Sequence, residues 1–157
     1  MPVSWRGFVT DLIERTGASW RRWERHALTR RTLLAITRNS RCKGILRTLS
    51  FEQGWRILFA ETLEEAIRLQ TFDRISIVVY DRQFQGVEWQ DGLSTLLAFE
   101  EPTLTIVLSD VLDARLRSEV LECGGYDLAQ SPLEPARFAS LVNGAFSLIE
   151  SIDSIDS

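Results

Sequence analysis

From residue 32 onward, short apolar runs alternate with longer stretches whose apolar residues recur every three or four positions. Residues 32–37 (TLLAIT) form a short, mostly apolar run, the pattern of a strand buried on both faces. In residues 40–53, Cys42, Ile45, Leu46, Leu49 and Phe51 have helical spacing, and Gly54 ends the helix. Residues 56–60 (RILFA) read as a second strand. Thr62 with Glu65 three positions later makes a capping box, opening a helix to about residue 69. Residues 75–80 (ISIVVY) are β-branched and continuous, the clearest strand, and end at Asp81. A loop containing Gly86 leads to a helix over about 89–99, and residues 103–108 (TLTIVL) give a fourth strand ending at Ser109 and Asp110. Residues 111–123 are helical in pattern and are stopped by Gly124 and Gly125. A short fifth strand over 126–129 ends before Pro132. The last helix spans 134–149, with Phe138, Leu141, Val142, Ala145, Phe146 and Ile149 on one face.

Five strands alternating with five helices predict a parallel sheet with helices on both faces. Residues 151–157 (SIDSIDS) are small and acidic and are expected to be a disordered tail. Residues 1–31 do not fit the alternation. Residues 4–15 suit a short helix with Phe8, Leu12 and Ile13 along one side. Gly17 interrupts it, and Ser19 suits the cap of a second helix carrying Trp20, Trp23 and Leu28. With Trp5, this arm holds three of the five tryptophans, so it is expected to pack against something. The chain thus divides into a basic, Trp-rich helical arm (1–31), an α/β domain (32–150) and the tail (151–157).

Charge sharpens that division. The arm has seven arginines against Asp11, Glu14 and Glu24, a net +4, so the rest carries −8 of the total −4. A basic arm on an acidic body suits docking on its own domain, on an anionic partner or on nucleic acid, and composition does not choose among them. Arginines interleaved with Trp20 and Trp23 would suit phosphate contacts and stacking, yet no helix-turn-helix, zinc or RNA-binding signature accompanies them. The longest apolar runs are far too short to cross a bilayer, and no apolar stretch follows Met1. A cytoplasmic protein without membrane association is the expectation. Cys42 and Cys123 lack CxxC neighbours and His26 stands alone, so the thiols read as reduced and buried, and no metal site or cofactor is expected.

In such sheets chemistry sits at the carboxyl ends of the strands. Those ends carry Thr37 and Arg38, Asp81, Ser109, and Ser131 with Pro132. The strings IVVYDRQFQG, IVLSD and GGYDLAQSP, in this order and spacing, resemble the receiver domain of two-component response regulators over residues 32–150. The resemblance implies a flavodoxin-like three-layer α/β/α sandwich with strand order 2-1-3-4-5. It also implies phosphoryl transfer to an Asp at the position of Asp81. The family supports that chemistry with Mg²⁺ on two acidic residues after strand one, a hydroxyl at the position of Ser109, and a lysine near strand five.

The sequence departs from that pattern at the decisive places. Thr37 and Arg38 occupy the acidic-pair positions, Ser131 the lysine position, and Leu128 the position of an aromatic switch residue. A hydroxyl and a fixed cation do not replace two carboxylates around a hard dication. The expectation is a degenerate pseudo-receiver, without catalysis of its own, that signals by protein–protein contact. Its contact face would be the fourth helix, fifth strand and fifth helix. Arg38 is expected to pair with Asp81 within about 4 Å, and Ser109 to cap the following helix. Three other readings stand beside this one: a working phosphoacceptor using Asp81, a nucleic-acid-binding regulator using the arm, and a small-molecule sensor using the vacated strand-end crevice. Whether the chain forms a homodimer is left open by the sequence.

Overall fold

The computed structural model describes residues 31–84, 88–98 and 103–155. The chain divides into units at Arg31, and these residues belong to the second. The arm read over 1–31, save Arg31 itself, lies outside the described residues, as do Gly86, Phe99 and the last two residues.

Strands and helices alternate strictly. They are β1 (Thr32–Ile36), α1 (Ser40–Gln53), β2 (Arg56–Ala60), α2 (Leu63–Phe72), β3 (Ile77–Asp81), α3 (Trp89–Leu97), β4 (Leu104–Ser109), α4 (Ala114–Glu122), β5 (Asp127–Gln130) and α5 (Pro135–Ile155). All pairings are parallel, in the order β2-β1-β3-β4-β5. This is the three-layer α/β/α sandwich that the sequence pattern and the resemblance predict.

Side-chain alternation along the strands divides the core in two. Leu33 and Ala35 of β1, Ile77 and Val79 of β3, and Ile106 and Leu108 of β4 pack against Leu46 and Leu49 of α1 and Val142 and Phe146 of α5. Leu34, Ile36, Val78, Tyr80, Val107 and Leu128 face the other way, against Ala66, Leu93, Leu96, Leu116 and Val120. Leu128, at the aromatic-switch position, is therefore a core residue of the second layer.

Local chemistry sets the helix bounds. Asn39 caps α1 by accepting from the Cys42 amide, and Gly54 ends it at φ 76°, where a Cβ would be strained. At α2, Thr62 accepts from the Glu65 amide, but Glu65 reaches past the cap to the Glu61 amide, a variant of the expected box. That helix continues to Phe72, beyond the predicted end near residue 69. The fourth helix begins at Ala114 and not at residue 111, because Asp113 accepts from the Leu116 amide and fixes the start. Val111 and Leu112 are left in an exposed loop. The last helix runs on to Ile155, so residues 151–155 are helical where the sequence suggested a tail.

Candidate functional site at the carboxyl edge of the sheet

Parity decides which strand-end side chains meet. Thr37 follows Leu33 and Ala35, and Asp81 follows Ile77 and Val79, so both point to the α1–α5 side. The Thr37 hydroxyl donates to Asp81 Oδ2 at 2.8 Å. The Gln83 amide donates to Asp81 Oδ1 at 3.0 Å, and the Asn39 amide donates to Thr37 Oγ1 at 3.1 Å. Thr37 is fully buried and Asp81 half-buried. Both carboxylate oxygens of Asp81 thus have protein donors.

Arg38 does not pair with Asp81, contrary to the sequence expectation. It continues the other parity, that of Leu34 and Ile36, and lies on the opposite side of the sheet. Its Nε donates to the Glu61 carbonyl at 3.0 Å, and its guanidinium stands 5.3 Å from the centre of the Phe84 ring, a cation–π contact. Glu61 is also bound by Lys43, the chain's one lysine, and the hydrogen bond and charge of that ammonium hold the carboxyl below its ordinary range.

Ser109 shares the parity of Val107 and faces Arg82. The Arg82 Nη1 donates to Ser109 Oγ at 3.3 Å, and the Val111 amide donates to the same oxygen at 3.0 Å. Ser109 therefore closes a turn rather than capping α4, whose cap is Asp113. Ser131, at the lysine position, donates its amide to the Ser109 carbonyl at 2.8 Å, ahead of a cis Ser131–Pro132 peptide. Arg82, one residue past Asp81, has no role of its own in the sequence analysis. Counting two residues on from Tyr80 places Arg82 on the Ser109 side, and that count was the available signal.

Two buried groups feel the Asp81 charge. The Cys42 thiol is pushed up to about 11, by burial first and the Asp81 charge second. The Tyr80 phenol is raised for the same two reasons in the same order. Tyr80 Oη has no hydrogen-bond partner among the described residues, and a Cβ on Gly92 would lie 2.3 Å from it.

These residues do not fit the Mg²⁺ that the receiver resemblance implies. A hard dication needs several free oxygen ligands. The Asp81 oxygens are taken by Thr37 and Gln83, and no cluster of three acidic, His or Cys ligands occurs among the described residues.

Solved structures provide the comparison. A signal receiver domain from Vibrio parahaemolyticus superposes with a TM-score of 0.74, at 16% identity over 82% of this chain and 98% of its own. The chain has the receiver fold. A response regulator from Thermotoga maritima shares it at TM-score 0.69 and 19% identity, over 75% of this chain and 98% of its own. So does a response regulator receiver protein from Pseudomonas putida, at TM-score 0.65 and 24% identity, over 74% and 98%. No protein-family model and no curated protein matches the sequence. No helix among the described residues is long and apolar enough to cross a membrane.

Proposed function

We propose that this chain is a signalling module of the response-regulator type that acts by binding a protein partner and neither accepts a phosphoryl group nor catalyses its transfer. The observation that carries the reading is the Thr37–Asp81 hydrogen bond. Phosphoryl transfer is mainly positioning and charge neutralisation. At this edge a neutral hydroxyl stands where a metal-binding carboxylate would be needed, and Ser131 offers no cation to an incoming phosphoryl oxygen. Arg82 holds the Ser109 hydroxyl, so the group that would follow a phosphoryl oxygen already has a charged partner.

The partner surface in this reading is the α4–β5–α5 face. Leu121 on α4 and Leu148 and Ile152 on α5 are about half exposed, which fits an apolar contact with polar surroundings. Two-component signalling in the cytoplasm is the setting that the fold suggests.

Amide NMR spectra of the full chain test this, first with millimolar Mg²⁺ and then with beryllofluoride as a phosphoryl mimic. Unchanged resonances at Asp81, Ser109 and Ser131 are expected. Saturable, metal-dependent shifts there would make Asp81 a working phosphoacceptor and overturn the reading. A small-molecule sensor would instead show shifts at this edge with an organic anion and no metal.

A further inference from the structure

The outer face of α1 carries features that packing among the described residues does not explain. Phe51 is 92% exposed, more than any other large apolar side chain in the described residues. Gly44 sits seven residues earlier in the middle of the same helix, where glycine lowers helix stability. Its neighbourhood does not require glycine, since an added Cβ would find no atom within 4 Å. Beside Gly44 runs a groove of about 380 Å³, lined by Ile45, Thr48, Leu49 and Pro135, with Arg41 near one end and Glu52 near the other. Neither Arg41 nor Glu52 has an ion-pair partner among the described residues.

We propose that this face of α1 binds a second copy of the chain, the two helices lying antiparallel about a two-fold axis near Thr48. The geometry is self-complementary. Positions 44, 48 and 51 share one face at helical spacing, and positions 41 and 52, eleven residues apart, fall on one stripe beside it. In a two-fold antiparallel pair, residue i meets j while j meets i. Phe51 then covers the partner's Gly44, where the bare backbone allows close approach, and the partner's Phe51 covers Gly44. On the other side of the axis, Arg41 meets the partner's Glu52 and the reverse pair forms as well. Only an antiparallel pair brings this flanking stripe against its own copy, so the two charge pairs form in that arrangement and are lost in a parallel one. A helix of 14 residues is about 21 Å long, which makes this a modest, concentration-dependent contact. Apart from Pro135 at the start of α5, it uses residues of α1 that lie outside the α4–β5–α5 surface.

Sedimentation equilibrium on the full chain, from micromolar to near-millimolar concentration, tests the proposal. The average mass is expected to climb from one chain toward two. Phe51→Ala and Arg41→Glu should each weaken association at least about tenfold, and Arg41→Glu combined with Glu52→Arg should restore it. Gly44→Leu should block pairing while leaving the monomer's helical circular dichroism and urea midpoint at least as high as wild type, which separates lost contact from lost folding. A single-chain mass throughout would overturn the proposal. So would a dimer indifferent to Phe51 and Gly44, or a charge reversal that the double exchange fails to rescue.

Discussion

The Thr37 hydroxyl and Asp81 Oδ2 stand 2.8 Å apart across neighbouring strands, and the Asn39 amide fixes the hydroxyl from behind. A buried threonine thus gives a half-buried carboxylate a direct side-chain donor. Hydrogen bonds to charged acceptors contribute about 1.5–3 kcal/mol. Thr37→Val should therefore lower the unfolding free energy by about 2 kcal/mol in urea melts. Arg38→Gln, which leaves that bond intact, should cost less than about 1 kcal/mol. A cycle of Thr37→Val with Asp81→Asn should show positive coupling, and additive losses would contradict the role given to this bond.

Tyr80 carries a buried hydroxyl without a partner among the described residues. Desolvating a hydroxyl without a hydrogen bond costs about 1–3 kcal/mol, so Tyr80→Phe should raise stability by about 1 kcal/mol. Gly92→Ala should do the reverse, by about 1–3 kcal/mol, since its Cβ would meet Tyr80 Oη at 2.3 Å. Denaturant midpoints of the two variants and the double mutant decide this. Combining Gly92→Ala with Tyr80→Phe should recover part of the loss, because the clashing oxygen is then gone.

Asn143 joins elements distant in the sequence. Its Oδ1 accepts from Trp55 Nε1 at 3.0 Å and from Arg31 Nη1 at 3.3 Å, and its Nδ2 donates to Gln53 Oε1 at 2.9 Å. Asn143→Ala strands the buried indole N–H and should cost about 2 kcal/mol. Glu150→Ala, which removes the exposed partner of Arg31, should cost less than about 1 kcal/mol. Thermal melts of both variants check the ranking.

Cys42 predicts a pH dependence. Its folded pKa of about 11 lies above the ordinary 9.0, so the folded state keeps a proton that the unfolded chain releases. Stability then falls as pH rises from about 9 to about 11, and Tyr80, raised in the same sense, adds to the fall. Urea midpoints across this window should decline less steeply for Cys42→Ala than for wild type. At neutral pH the buried, protonated thiol should react with iodoacetamide far more slowly than the partly exposed Cys123.

Much of the architecture was legible because local signals agreed with the fold. Asn39 and Gly54 bracket α1, Thr62 opens α2, and the β-branched run before Asp81 is β3. The start of α4 and the end of α5 were misread. Asp113 outcompeted the apolar pair Val111–Leu112 as the start of α4, and α5 continues past residue 150 although serine and acid residues suggested fraying. At the candidate site the residue types were read from the sequence but their partners were not. Pairing Arg38 with Asp81 followed from opposite charge alone. Strand parity separates them, and it sends the neutral Thr37 to the carboxylate and the cation to Phe84.

Arg31 stands one residue ahead of β1, and its carbonyl accepts from the Arg56 amide of β2 at 2.7 Å. Its guanidinium grips both Glu150 oxygens, at 2.9 and 3.1 Å, and lies 5.4 Å from the centre of the Phe146 ring. One residue is thus bonded to β2 through its backbone and to α5 through its side chain. Arg31 therefore acts as a staple between the start of the sheet and the helix packed on it.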